Sequence, residues 1–251
     1  MATIEVTVAG AVRTVLLNRA DKRNALDAEM LAALTAAFTT PPGASERLAV
    51  IRAAGSVFCA GLDLRSRKDM VGGASSIEES LHAIETYPLP VVAVVQGDAI
   101  AGGNELALHC DIVVASASAR FGMSLAQIGL APSWFLTKKL MEVAGPVTTR
   151  KILLLGDPLP ATRMFDLGVI AEVAPAAELE AKAKAIIDRL AANAPLSLRA
   201  MKAVILREMK FRDGIPHGDV DELVSLASRS ADAREGILAR LEKRQPKFQS
   251  K

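Results

Sequence analysis

The stretch Val91-Val92-Ala93-Val94-Val95-Gln96-Gly97-Asp98-Ala99-Ile100-Ala101-Gly102-Gly103-Asn104-Glu105-Leu106 restricts the fold of this 251-residue chain more than any other. Its apolar opening reads as a strand buried on both faces. Leu106, Ala107 and Cys110 read as the start of a helix. Gly102 and Gly103 therefore stand where a strand hands over to a helix. Unpaired N–H groups and the positive end of the helix dipole gather at such a point. Glycine lets that backbone approach a ligand closely, because it has no Cβ. Glu105 places a carboxylate in the first helical turn. Taken alone, the pattern is equally that of a tight turn followed by an acid that favours the dipole.

A second glycine turn, Phe58-Cys59-Ala60-Gly61-Leu62-Asp63-Leu64, follows another apolar run, Leu48 to Ile51. Two such turns can each aim one N–H at a shared oxygen that becomes negative during reaction. These segments occur in order with Asn18-Arg19, Asn24-Ala25-Leu26, Cys110-Asp111, Ser230-x-Asp232, Glu235-Gly236 and Glu242-Lys243-Arg244-x-Pro246-x-Phe248. Together they resemble the crotonase (enoyl-CoA hydratase/isomerase) family from about Thr3 to Phe248. The resemblance implies an α/β fold of the crotonase-like (ClpP/crotonase) type, a spiral of ββα units with a helical C-terminal region. It also implies a coenzyme A thioester as substrate.

Composition excludes other classes. A net charge of +2, evenly scattered, does not suggest nucleic acid as a partner. No apolar run approaches the ~20 residues of a membrane helix, and no signal peptide is evident at the start of the chain. Cys59 and Cys110 read as small core residues of a cytoplasmic protein rather than as a disulfide. His82, His109 and His217 show no metal-ligand spacing. No nucleotide-binding Gly-x-Gly-x-x-Gly or phosphate loop is present. No cofactor is expected beyond the coenzyme A carried by the substrate.

Ile4–Val8 and Arg13–Leu17 read as an opening hairpin, and Asp27 as the cap of a helix from about Ala28 to Phe38. Strands are expected at Leu48–Arg52, Val91–Gln96, Ile112–Ala115 and Val169–Val173, with helices near Ile77–Glu85 and Gly103–Cys110. That alternation predicts a parallel-rich core. The stretch from Arg65 to Ser76 reads as a mobile loop able to close over a ligand. From Pro175 the patterns are helical: Glu178–Ala192, Leu198–Met209, Val220–Ser228 and Ala233–Arg244. We therefore divide the chain into a core, residues 1–174, and a helical region, residues 175–251. The resemblance implies that the latter serves trimerisation and site closure, giving a homotrimer or a dimer of trimers.

Residue by residue, the resemblance implies that the backbone N–H groups of Leu62 and Gly102 hold the thioester oxygen. Loss of one such donor costs roughly 3–4 kcal/mol of barrier in acyl-transfer enzymes. Glu105 becomes the general acid/base, its pKa raised by an apolar pocket and lowered by the helix N-terminus. Ala60, Gly61, Asp63, Ala25 and Gly103 line the same turns, and Asp63 is expected to brace its loop through backbone N–H groups. Arg65, Lys22, Arg23 and Lys243 are the basic candidates for coenzyme A phosphates, with a solvated surface charge as the other reading of each. Trp134, with Phe135 and Leu136, is expected to bound the acyl group. His109 lies one helical turn after Glu105 and reads better as a core histidine satisfied by backbone than as a partner of that carboxylate.

One position departs from the family. Hydratases of the family carry a second glutamate in a Phe-Gly-x-Pro-Glu segment, and here Phe121-Gly122-Met123-Ser124-Leu125 puts Leu125 in that place. Leucine neither holds a water nor moves a proton. Ser124 and Gln127 are the polar neighbours that could orient a water. Ser133 stands near the place of a family aspartate and is not a comparable base. The expected reaction is reversible hydration of a 2-enoyl-CoA to a 3-hydroxyacyl-CoA through Glu105. The alternatives are another enolate reaction (isomerisation, decarboxylation or thioester hydrolysis) and a degenerate acyl-CoA-binding homologue.

Overall fold

The computed structural model describes residues 2–65 and 77–249. The chain opens with a hairpin, β1 (Ile4–Ala9) and β2 (Val12–Leu17), turned by Gly10 at a φ of +58°. Helix α1 (Ala28–Thr39) follows, and the Asp27 side chain caps it by accepting from the Met30 N–H. Next come β3 (Leu48–Ala53), α2 (Ile77–Thr86), β4 (Val91–Val95), β5 (Ala99–Ile100), α3 (Gly102–Leu108), β6 (Ile112–Ser116) and β7 (Arg120–Gly122). Helix α4 (Trp134–Arg150), β8 (Leu159–Pro160), α5 (Ala161–Asp166) and β9 (Glu172–Ala174) complete the sheet-bearing part. Four helices end the chain: α6 (Leu179–Ala192), α7 (Pro195–Glu208), α8 (Gly218–Arg229) and α9 (Ala231–Glu242).

Among the described residues, six strands form the main sheet in the order β1-β2-β3-β4-β6-β9, antiparallel only within the hairpin. Every residue of β4 is buried, as an uninterrupted apolar strand in a covered sheet requires. One face packs against α1, α2 and α3 through residues such as Val91, Ala93 and Val95. The other face, with Val92 and Val94, is covered by Leu179, Ala183 and Leu190 of α6. Helix α6 is thus part of the sandwich that shields the central sheet.

The path of the chain repeats itself. After β4 it makes β5 in a second small sheet, β5-β7-β8, and then enters α3. After β6 it makes β7 in that same layer before α4. After β3 it makes the single bridge Cys59↔Ala99, which adds residue 59 to the edge of the second layer. The repeating unit is therefore a long strand, a short strand and a helix.

The glycine turn after Cys59 is braced from below. Leu26 N–H donates to the Gly61 carbonyl at 2.8 Å, and Asp63 N–H donates to the Leu26 carbonyl at 2.8 Å. Asn24, fully buried at a φ of +52°, donates to the carbonyls of Ala54 and Val57 and accepts from the Arg19 N–H. Asparagine tolerates that left-handed backbone better than most residues. Asn24→Ala removes all three bonds and takes this donor from the Ala54 carbonyl, while the Val57 carbonyl keeps only the Gln96 amide at 3.4 Å. A destabilisation of about 3 kcal/mol is expected in urea unfolding.

The structure corrects several sequence-based boundaries. The expected strand at 169–173 is shifted to β9, with Val169 and Ile170 buried in the connection before it. Helices α4 and α5 were not anticipated. Helix α4 is kinked at Gly145 (φ +66°) ahead of Pro146, and that pair masks the apolar spacing of Leu136, Leu140 and Val143. The helix expected from Leu198 begins earlier, with Pro195 as the first residue of α7, where a missing N–H costs nothing. The expected loop beyond Arg65 lies outside the described residues. Among the described residues no helix is long and apolar enough to cross a membrane, and no cluster of three His, Cys, Asp or Glu could hold a metal.

Candidate active site

Cys59 and Ala99 are paired, and Leu62 and Gly102 each lie three residues further on. Successive repeats thus deliver the two proposed donors in register. Ile100 N–H donates to the Cys59 carbonyl at 2.9 Å, and a Cβ on Gly102 would lie 3.4 Å from the Gly61 Cα. A Cβ on Gly103 would fall 2.1 Å from the Cys59 carbonyl oxygen. Glycine here lets the start of α3 press directly against the turn at 59–61.

Ala101, between β5 and α3, has φ +50° and ψ −117°. That conformation costs a non-glycine residue on the order of 1–3 kcal/mol and tends to cluster at functional sites. It is fixed from both sides: Ala101 N–H donates to the Gly122 carbonyl at 2.7 Å, and the Ala101 carbonyl accepts from Glu105 N–H at 3.1 Å. Sequence gave no hint of strain at this alanine.

Glu105 is fully buried. Its Oε1 accepts from the Asn104 side-chain amide at 3.3 Å, and its Oε2 has no hydrogen-bond partner among the described residues. Desolvation pushes its pKa up to about 8, against smaller downward pulls from the Asn104 amide and the charge of Lys139. Asn104 and Lys139 were not singled out from the sequence. Asn104 acts on its own neighbour within α3, whereas the role of Lys139 depends on where α3 and α4 meet.

His109 places Nδ1 2.8 Å from the Glu105 carbonyl oxygen and 3.8 Å from Glu105 Oε2, and its ring stacks on Phe135 at 5.1 Å between centroids. The backbone contact expected for a core histidine is present, yet Nε2 is buried without a partner among the described residues. Burial first, then the charge of Lys139, lowers its pKa to about 4.

The remaining candidates fall into groups. Ala60, Gly61, Asp63 and Ala25 converge on the braced turn, and Ala60 N–H donates to the Arg23 carbonyl. Asp63 accepts from Arg65 N–H at 3.1 Å and pairs with Arg19 at 2.9 Å, so it holds the loop as expected. Lys22, Arg23 and Arg65 are exposed at the rim of this turn, and Lys243 is exposed at the end of α9. Leu125 packs against the main core with Leu62, Ile77 and Ala101.

The polar neighbours of Leu125 are already engaged. Ser124 accepts from Arg240 at 3.1 Å, Gln127 donates to the Leu155 carbonyl and to Asp157, and Ser133 caps α4. Phe135 reaches the site through His109, whereas Trp134 is half-buried and stacks on His217 at 4.8 Å. Phe135 also borders a cavity of about 380 Å³ together with His82, Glu85, Lys138 and Glu142.

Comparison with known proteins identifies the family. Residues 7–251 match the family described as enoyl-CoA hydratase/isomerase. Enoyl-CoA hydratase EchA19 of Mycobacterium tuberculosis is 32% identical, with all of both chains covered. The crystal structure of carnitinyl-CoA hydratase from Mycobacterium avium superposes with a TM-score of 0.88 at 28% identity over the full length of both chains. An enoyl-CoA hydratase/carnithine racemase from Magnetospirillum magneticum gives 0.78 at 30% identity, covering 100% of this chain and 97% of its own. With the paired glycine turns, the buried glutamate and a match over nearly the whole length, the chain belongs to the enoyl-CoA hydratase/isomerase (crotonase) family.

Proposed function

We propose that the protein binds an acyl-CoA thioester with its carbonyl oxygen on the N–H groups of Leu62 and Gly102, and hydrates a 2-enoyl-CoA reversibly through Glu105. The observation that carries this reading is the carboxyl of Glu105: buried, raised to about 8 and left with an unpartnered oxygen beside the two turns. A buried group so poorly satisfied costs stability and is retained for what it does. Ionised Glu105 takes a proton from water as the water oxygen bonds to C3. The electron pair of the double bond moves onto the thioester oxygen, and the same carboxyl returns the proton to C2. Water is added, and Glu105 ends as it began. Lys22, Arg23, Arg65 and Lys243 are proposed to meet the coenzyme A phosphates.

The ionised form performs the first step in either direction. Turnover (kcat/KM) is therefore expected to rise with pH through about 8 and then level. The direct test is mass spectrometry with a panel of enoyl-CoA thioesters, where a gain of one water, absent with Glu105→Gln, is the expected result. Leu125 favours a second reading, since Ser124 and Gln127 are tied to Arg240, Leu155 and Asp157. In that reading the same cradle holds an enolate formed without water. Unchanged mass with altered chromatographic retention would select it.

We also propose a homotrimer or dimer of trimers. Met201, Val204, Ile205, Phe211 and Leu223 are exposed apolar side chains in the C-terminal helical region, and such a patch is typical of an association surface. Buried free thiols at Cys59 and Cys110 fit a cytoplasmic protein.

A further inference from the structure

We propose that His109 is a positioning residue for Glu105, its Nδ1–H lying between the carbonyl oxygen and the carboxylate of that residue to orient the carboxylate and favour its ionised form. The inference rests on Glu105 acting as the base.

The geometry fixes the tautomer. Nδ1 is 2.8 Å from a carbonyl oxygen, which only accepts, so Nδ1 carries the proton. Nε2 then presents a bare lone pair, and a buried lone pair without a partner is tolerated better than a buried N–H. Phe135 stacks at an interplanar angle of 18° and prevents the ring from swinging away. The same accounting applies to the carboxyl. Asn104 donates to Oε1, so the acidic proton belongs on Oε2, the oxygen 3.8 Å from His109 Nδ1. When Oε2 gives up that proton it becomes a charged acceptor facing an N–H already pointed at its own residue. A modest rotation of the carboxylate closes the distance.

Other charges face the pair from neighbouring helices. Helix α2 contributes Glu85 and His82, and α4 contributes Lys139, which is paired with Glu85 and with Glu142 at 3.1 Å. Lys139 favours ionised Glu105 and neutral His109 together. The histidine therefore acts as a neutral N–H donor throughout the working pH range rather than as a cation. Asn104 serves Oε1 and Leu125 adds no polar group, so among the described residues His109 Nδ1, at 3.8 Å, is the side-chain donor facing Oε2.

The test compares His109→Leu with His109→Asn, whose side-chain amide can stand in for Nδ1–H. His109→Leu is expected to lower kcat about tenfold with KM nearly unchanged, and to move the rising limb of the pH profile up by about one unit. His109→Asn is expected to bring the limb back toward the wild-type position, a rescue that a purely packing role does not produce. An unmoved limb in His109→Leu overturns the inference. A second measurement covers the case in which that variant fails to fold: nitrogen NMR of the wild-type histidines. A proton on Nδ1 is expected, and a proton on Nε2 overturns the inference. Glu105→Gln separates the two ideas. If that variant keeps full turnover, the proposed function itself fails; if it is inactive and the limb in His109→Leu is unmoved, only the role of His109 fails.

Discussion

Glu105→Gln is expected to reduce hydration about a thousandfold while leaving acyl-CoA binding nearly intact. The amide keeps the shape of the side chain but neither takes nor returns a proton, and removal of a positioned acid/base typically costs 10²–10⁴ in rate. Binding survives because the thioester oxygen is held by backbone at Leu62 and Gly102, which the change does not touch. The same variant has a signature in stability. The folded-state pKa of Glu105 is raised from 4.5 to about 8, so the native protein holds this proton where the unfolded chain releases it. Its contribution is fully present below about pH 4.5 and is lost as pH rises through about 8. A shift of that size corresponds to on the order of 5 kcal/mol between the two limits. Wild-type unfolding free energy in urea should accordingly fall from pH 5 to pH 9, with a much flatter dependence in Glu105→Gln. Equal slopes would mean that the carboxyl is not buried as a neutral group, and the acid/base role would lose its physical basis.

Local signals carried much of this molecule, and long-range ones did not. Val91–Val95 is legible because a five-residue apolar run has few other uses, and Gly102-Gly103 because an abrupt hand-over to a helix calls for glycine. Glu105 follows from its place in the first turn. The helix at Trp134–Arg150 was hidden by Gly145-Pro146, whose local preference for a break is overridden by packing on both sides of the kink. The strain at Ala101 is invisible in an alanine, because it is imposed by Gly122 from one side and by Glu105 from the other. Lys202 reads as an ordinary helix-surface lysine, yet it is buried and donates to Asp111 at 2.6 Å, joining α7 to the residue that precedes β6. His109 was placed correctly against backbone, but its stacking on Phe135 joins residues 26 positions apart and has no local trace. What the sequence conceals is mostly set by packing between segments far apart in the chain.

Gly61→Ala is expected to be the most damaging single-methyl change in the turn that carries Leu62. Gly61 has φ +90°, a conformation alanine adopts only with strain. The new Cβ would sit 2.9 Å from the Ile100 carbonyl oxygen, 2.9 Å from the Ala101 Cβ and 3.1 Å from the Gly102 nitrogen. None of these is the movable end of a long side chain, so the two turns must part. A loss of about 2–4 kcal/mol in unfolding free energy is expected from strain and overpacking together. Catalysis should suffer more than stability. The methyl intrudes on the Gly102 N–H and displaces the adjacent Leu62 N–H, and misplacing even one such donor costs about 10²–10³ in kcat. Gly10→Ala is the matched control: φ is +58°, but nothing lies within 4 Å of the added methyl. It should cost only about 1 kcal/mol and leave turnover unchanged. If folded Gly61→Ala protein instead turns over at the wild-type rate, the two glycine turns do not jointly hold the reacting oxygen. Glu105 would then have to work on a substrate bound in some other way.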